Sequence, residues 1–264
     1  MKTVLIADTL GMMPSRHLQN EYPNATFEVL EEARTLEPHG EMVCESFLQG
    51  HGKKDEVKIL LYPHQQLADD NPLGWVDAIE AHDPDFANLS MGAWDQDDGM
   101  NALSLDLLFN RQAVDEAAEK LRDTNVFMAS GNFNQNWDVD EDLASPQKQF
   151  ARLDNIYLIG SATRNGFPAR SSSDGPSIFC QSWGKNRRLW HPGRFRYVPA
   201  SGTSFSSPFV MGIMARDFAG YRFERQEAMT WLLDRVTVAE GWVRGDRHPV
   251  AGFGDLTTYW EKTK

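Results

Sequence analysis

Short apolar runs alternate along the chain with segments of helical period. The apolar runs predict strands at 4–7, 57–62, 86–90, 126–129 and 156–161. Apolar residues at three- and four-residue spacing predict helices at 40–48, 73–81, 104–121, 205–218 and 226–236. This alternation predicts an α/β fold with a doubly wound, mostly parallel sheet and helices on both faces.

The stretch 165–199 does not follow this alternation, because Gly, Pro, Ser and Arg interrupt its apolar positions. The pattern therefore predicts no strand or helix there. No linker or internal repeat divides the chain, which predicts a single domain over 1–264. We expect ligands at the carboxyl ends of the strands.

Charge and cysteine content narrow the function classes. The net charge of -12 repels phosphate backbones and anionic lipid, so neither nucleic acid nor a membrane is an expected partner. Two cysteines, Cys44 and Cys180, suit a reducing compartment. Asp8 interrupts the first apolar run too early for a signal peptide, and no stretch approaches the roughly 20 apolar residues of a membrane span. We therefore expect a cytoplasmic protein.

The segment Ser-Gly-Thr-Ser-Phe-Ser-Ser-Pro at 201–208 is the most informative one, and it leads into a predicted helix. Ser204 would lie at the amino end of that helix, where free N–H groups and the helix dipole favour negative charge. Such a position suits a nucleophile whose reaction creates an oxyanion. A Ser-rich turn before a helix is also typical of a simple helix cap.

Glycine 202 to glycine 212, GTSFSSPFVMG, resembles the nucleophile motif of the subtilisin-like serine proteases. Other motifs resemble that family in its order Asp, His, Asn, Ser. Asp8 ends the first predicted strand, as in the family, although Leu10 replaces a usual Gly. His39 and Gly40 open a helix, as the family's His-Gly pair does. The residues that depart from this second motif are Glu41, Met42, Cys44 and Glu45.

Two further segments resemble the parts of the family that hold the substrate. Residues 88–92 resemble the strand whose exposed edge pairs with the substrate backbone, and 129–132 resemble the segment that ends in the oxyanion asparagine, here Asn132. The substrate-binding residues implied by this resemblance are Ser90, Met91, Gly92, Ala129, Ser130 and Gly131.

The resemblance implies a serine endopeptidase that acts on protein or peptide substrates. His39 would accept the proton of Ser204 as the serine attacks a carbonyl, and Asp8 would fix the imidazole tautomer. The Ser204 N–H and the Asn132 amide would stabilise the oxyanion. No catalytic metal is expected, because no histidine pair has the spacing of a metal motif with a nearby carboxylate.

Two other functions stay open. The changes that follow His39 also suit an inactive or restrained protein that keeps a peptide-binding groove. Peptide maturation is the other, in which a peptide amine can replace water in the second step. The first predicted strand begins at residue 4, so the sequence contains no propeptide of the family's kind. Either a propeptide has been removed, or the protein folds unaided and is restrained by narrow specificity or by an inhibitor or regulatory partner.

Three charged runs add weaker hypotheses. The acidic run 95–99 leaves a structural calcium ion open, although its glycine is placed differently from that of an EF-hand loop, and no other cofactor is expected. Together with the acidic run 138–142, it would favour Lys or Arg ahead of the scissile bond. Solvated loops are the simpler interpretation of both. The basic run 185–196 suits a surface loop or partner-docking patch better than a nucleic-acid groove.

Overall fold

The computed structural model describes residues 1–9, 14–31, 38–64, 73–90, 111–132, 153–173, 178–218, 223–233 and 250–251. The strands are β1 Lys2–Thr9, β2 Ala25–Val29, β3 Val57–His64, β4 Phe86–Leu89, β5 Asn125–Ala129, β6 Ile156–Ala162, β7 Ile178–Trp183, β8 Arg187–His191, β9 Arg196–Ala200 and β10 Val250–Ala251. The α-helices are α1 Arg16–Glu21, α2 Pro38–His51, α3 Gly74–His82, α4 Arg111–Leu121, α5 Thr203–Asp217 and α6 Arg225–Leu233.

Eight strands form one sheet in the order β10-β7-β6-β5-β4-β1-β3-β2, and every neighbouring pair is parallel. In this sheet β3 and β2 lie on one side of β1, and β4, β5, β6, β7 and β10 lie on the other. The sheet order therefore reverses between β1 and β4, and ligands of such sheets bind beside the reversal, at the carboxyl ends of the strands. β8 and β9 form a separate antiparallel hairpin, joined by the 3-10 helix Pro192–Arg194.

Helices cover both faces of the sheet. In β1, Val4 and Ile6 belong to the apolar cluster that includes residues of α1, α2, α5 and α6. Leu5 and Ala7 point to the opposite face and belong to the cluster that includes residues of α3 and α4. The alternation of side chains along a strand therefore buries β1 on both faces, as the prediction of a doubly wound α/β fold requires.

All five predicted strands occur, with small shifts at their ends. The predicted helices also occur, except that 104–110 and 234–236 lie outside the described residues. The expectation of no regular structure at 165–199 was wrong, since β7, β8 and most of β9 lie there. Arg187 explains part of the error: it is fully buried at a position of β8 where an alternating strand normally has an apolar residue.

Helices α2 and α5 cross at two glycines. A Cβ atom on Gly212 would lie 2.2 Å from the carbonyl oxygen of Phe47, and one on Gly50 would lie 2.3 Å from that of Phe209. The backbones are thus in direct contact. The hydroxyl of Ser46, past the middle of α2, donates a 2.6 Å hydrogen bond to the carbonyl oxygen of Phe205 in the first turn of α5.

We expect Gly212→Ala to lower the free energy of unfolding by about 1–3 kcal/mol, because the added methyl group forces two packed backbones apart. Urea unfolding followed by circular dichroism measures this change. Gly193→Ala is the matched control, since a Cβ there would come no closer than 3.4 Å to its neighbours. Equal unfolding of Gly212→Ala and wild type would contradict the tight crossing.

Candidate active site

A buried carboxylate and a histidine meet at the carboxyl end of β1. Asp8 is 0% exposed and lies on the same face of β1 as Ile6. Pro38, which suits a first helical turn, begins α2 and brings His39 opposite Asp8. The Nδ1 atom of His39 lies 2.7 Å from Oδ1 of Asp8. A carboxylate that accepts from Nδ1–H leaves Nε2 as the proton acceptor, on a side chain that is 33% exposed.

Ser204 lies in the first turn of α5. Gly202 precedes the helix with a φ of 155°, a conformation that residues with a side chain rarely adopt. The chain therefore turns sharply into the helix, and Ser204 is partly exposed while the serines that follow it are buried. First-turn N–H groups have no acceptor within their own helix, so the N–H of Ser204 is a donor at the site.

A line of buried hydrogen bonds holds the backbone of Ser204. The hydroxyl of Ser90, just after β4, donates to the carbonyl oxygen of Ser204 at 2.8 Å. Asn88 Nδ2 donates to Ser90 Oγ at 2.8 Å, and Ser207 Oγ donates to Asn88 Oδ1 at 2.8 Å. Ser90 was predicted as a substrate-binding residue, and its side chain also ties the first turn of α5 to the sheet.

Asn132 is oriented by the start of α5. Its Oδ1 accepts the backbone N–H of Thr203 at 2.9 Å and the hydroxyl of Thr203 at 3.3 Å. The hydroxyl of Thr203 also accepts the N–H of Gly131 at 3.2 Å. With its oxygen occupied in this way, the side-chain amide of Asn132 has its NH2 group available as a donor.

Ser204, His39 and Asn132 line one open cavity of about 720 Å³. Its other walls come from α2, from the hairpin β8–β9 and from the turn before α5. The remaining lining residues are Met42, His191, Arg194, Arg196, Tyr197, Val198, Pro199, Ala200, Ser201 and Phe205. A serine hydroxyl, an imidazole and a side-chain amide thus line the same space, and acyl transfer uses groups of these kinds.

Polar contacts join the hairpin to α2. Glu45 Oε2 accepts the backbone N–H of Trp190. Gln49 Nε2 donates to the carbonyl oxygen of Arg188 at 3.2 Å, and Gln49 Oε1 accepts from Arg187 Nη2 at 2.5 Å. Burial lowers the pKa of Arg187 to about 9, which still leaves the guanidinium charged at neutral pH. The cavity wall and the helix that carries His39 are therefore one rigid unit.

The structure places the four predicted catalytic residues near one another: Asp8 contacts His39, and His39, Ser204 and Asn132 line the cavity. Of the predicted substrate-binding residues, Ala129 ends β5. The backbone N–H of Ser130 donates to the carbonyl oxygen of Ile159 at 3.1 Å, and the carbonyl oxygen of Gly131 accepts the N–H of Ser173 at 2.9 Å. The predicted residues and runs that lie outside the described residues are Met91, Gly92, 95–99 and 138–142.

Several contributors were missed by sequence reasoning. Asn88 and Ser207 were given no role, although a polar residue within a buried strand or helix needs a hydrogen-bond partner. Arg194 and Arg196 were assigned only to a surface loop or docking patch. Their position just ahead of the nucleophile motif in the sequence was the available signal.

The described residues also bear on metal binding, membrane insertion and disulfide formation. No group of three or more His, Cys, Asp or Glu side chains there is arranged to hold a metal ion. None of the described helices has the length and apolar character needed to cross a membrane. Cys44 and Cys180 are both buried, and neither forms a disulfide.

Comparison with known proteins agrees with this geometry. The family model described as the subtilase family matches residues 39–233. No curated protein matches the whole sequence significantly.

Solved structures share the fold at low identity. The prenylagaramide maturation protease PagA has a TM-score of 0.62 and 17% identity, with 100% of this chain and 94% of that chain covered. A cold-adapted subtilisin-like serine proteinase has a TM-score of 0.64 and 17% identity, with 94% and 87% covered. The PatG macrocyclase in complex with peptide has a TM-score of 0.58 and 13% identity, with 90% and 84% covered.

Glu45 should make the stability of the fold depend on pH. It is 1% exposed, and burial raises its pKa from 4.5 to about 7. Because the folded state holds this proton more tightly than the unfolded state, its contribution is complete below about pH 4.5 and is lost as the pH rises through about 7. Glu45→Gln cannot ionise, so its stability relative to wild type should rise by about 2–3 kcal/mol between pH 5 and 8.

Urea unfolding of both proteins across this pH range measures the difference. Glu56→Gln is the matched control, because it makes the same substitution at an exposed carboxylate. Its free energy of unfolding should vary with pH as that of wild type does. A Glu45→Gln curve parallel to wild type would show that the carboxyl is not held neutral by burial.

Proposed function

Because the chain belongs to the subtilase family, we propose that it is a serine endopeptidase that uses Ser204, His39 and Asp8, with Asn132 in the oxyanion hole. One observation carries the proposal: the 2.7 Å contact of Asp8 with His39 lies beside a cavity that Ser204 and Asn132 also line. Fold and family alone would not require these four groups to converge.

The acylation step follows from these positions. The Oγ of Ser204 attacks the scissile carbonyl carbon while its proton passes to Nε2 of His39, and the carbonyl electrons move to oxygen. Asp8 stabilises the imidazolium through Nδ1–H. When the C–N bond breaks, His39 returns the proton to the leaving amine, and an acyl ester on Ser204 remains.

Deacylation repeats the sequence with water. His39 removes a proton from water as it attacks the ester, the C–O bond to Ser204 breaks, and the serine recovers the proton. In both steps the Ser204 N–H and the Asn132 NH2 group would donate to the oxyanion. This chemistry uses only groups of the chain and water.

Peptide maturation is the second candidate. Two of the similar structures are a maturation protease and a macrocyclase, and at 17% and 13% identity they share only the fold with this chain. In that reaction a peptide amine would attack the acyl ester in place of water. Product mass distinguishes the two, because hydrolysis adds one water across the cleaved bond and ligation does not.

We expect a fluorophosphonate probe to form one adduct with the wild-type protein, on Ser204, since a serine with a paired base is the group activated for attack. Intact-protein mass spectrometry measures the adduct. Ser204→Ala should abolish it, and His39→Ala should slow it strongly. Ser201→Ala, which changes an exposed serine of the same cavity, should retain it. No adduct on wild type, or an adduct that survives in Ser204→Ala, would refute the proposed activity.

Asn132→Ala and Asn132→Asp should each lower kcat for p-nitrophenyl acetate by about 100- to 1000-fold, a range measured for the corresponding donor in subtilisin itself. The aspartate keeps an oxygen for the Thr203 N–H but removes the NH2 donor. Comparing the two variants therefore separates oxyanion stabilisation from support of α5. Wild-type kcat in Asn132→Asp would rule out the side chain as an oxyanion donor.

A further inference from the structure

The tip of the hairpin β8–β9 brings positive charge to the cavity of Ser204. Arg194 and Arg196 both line this cavity, and both are exposed. Neither forms an ion pair with any residue in the described part of the chain. In a protein of net charge -12, this is a local reversal of sign at the edge of the site.

Phe195 lies between the two arginines in an unusual state. It is 81% exposed and has a φ of 49°, a left-handed conformation that is costly for a bulky residue. Such conformations persist where the surrounding structure fixes them, and they concentrate at sites that bind ligands. The N–H of Phe195 donates to the carbonyl oxygen of Pro192 at 3.4 Å, which closes the turn in this conformation.

The chemistry indicates which part of a substrate would meet this tip. His39 delivers its proton to the leaving amine, so the segment that follows the scissile bond must lie beside His39. The carbonyl of the acyl part lies at Asn132. The hairpin packs on α2, which carries His39, and Met42 of the same helix also lines the cavity. The tip of the hairpin therefore borders the part of the cavity that would hold the leaving segment.

We propose that Arg194 and Arg196 bind acidic side chains in the substrate segment that follows the scissile bond. This specificity rests on the proposed endopeptidase function. A guanidinium binds a carboxylate with two parallel hydrogen bonds, and the exposed tip makes the gain modest and sensitive to salt.

Cleavage of a randomised peptide library tests this directly. The peptides carry amidated C-termini, so only side chains supply carboxylates, and mass spectrometry identifies the cut sites. Wild type should show Asp and Glu enriched about three- to tenfold over Asn and Gln in the first three positions after the cut, and less so in 0.5 M NaCl.

Arg194→Gln/Arg196→Gln should lose this enrichment. The ratio of acidic to amide residues is read within each variant, so a change in overall activity cancels. Arg188→Gln removes an exposed arginine of the same hairpin that does not line the cavity, and it should keep the wild-type ratio. Equal use of acidic and amide residues by wild type, or enrichment that survives the double substitution, would overturn the inference.

Protection from the fluorophosphonate adduct gives a second measurement that needs no turnover. A Glu-rich decapeptide should slow labelling of wild-type Ser204 more than its Gln counterpart, and the difference should vanish in the double variant. If both peptides slow labelling equally, the inferred preference for acidic side chains is overturned while the proposed endopeptidase function stands. Absence of both labelling and cleavage in wild type overturns the proposed function, and the specificity falls with it.

Discussion

Helices α2 and α5 cross at a pair of glycines, which have no side chain to hold the two backbones apart. The distance between the first turns of the two helices depends on this close crossing. Gly50 and Gly212 let the two backbones touch, and the hydroxyl of Ser46 ties α2 to the first turn of α5. Both helices begin at the carboxyl edge of the sheet, one with His39 and the other with Ser204. The packing of the two helices therefore sets where His39 and Ser204 lie relative to each other.

The sheet supplies the remaining fixed points through the ends of neighbouring strands. β1 ends with Asp8, β4 is followed by Ser90, and β5 leads to Asn132. Strand order brings these three ends side by side at the reversal of the sheet. Each then contacts one of the two helices, Asp8 through His39 and the others through Ser204 and Thr203. Parallel order alone brings distant parts of the sequence to one place.

Much of this arrangement was predictable because the strong signals are local. Buried parallel strands are continuous apolar runs, and the small residues at the start of α5 read as a helix terminus. The hairpin β8–β9 was not predictable in the same way. Its inward position holds Arg187, and one hydrogen-bond acceptor of that guanidinium, Gln49, is distant in sequence. The link from Ser207 through Asn88 also joins residues that no periodicity connects.

The double use of Asn132 has a consequence for control of the protein. Its oxygen supports the first turn of α5 while its NH2 group faces the cavity, so the asparagine cannot swing away without loosening the helix that carries Ser204. Moving the side chain away would break both hydrogen bonds that its oxygen accepts from Thr203. We would therefore expect a partner that restrains this site to block the cavity and leave Asn132 in place. Activity would then return at the rate at which that partner dissociates.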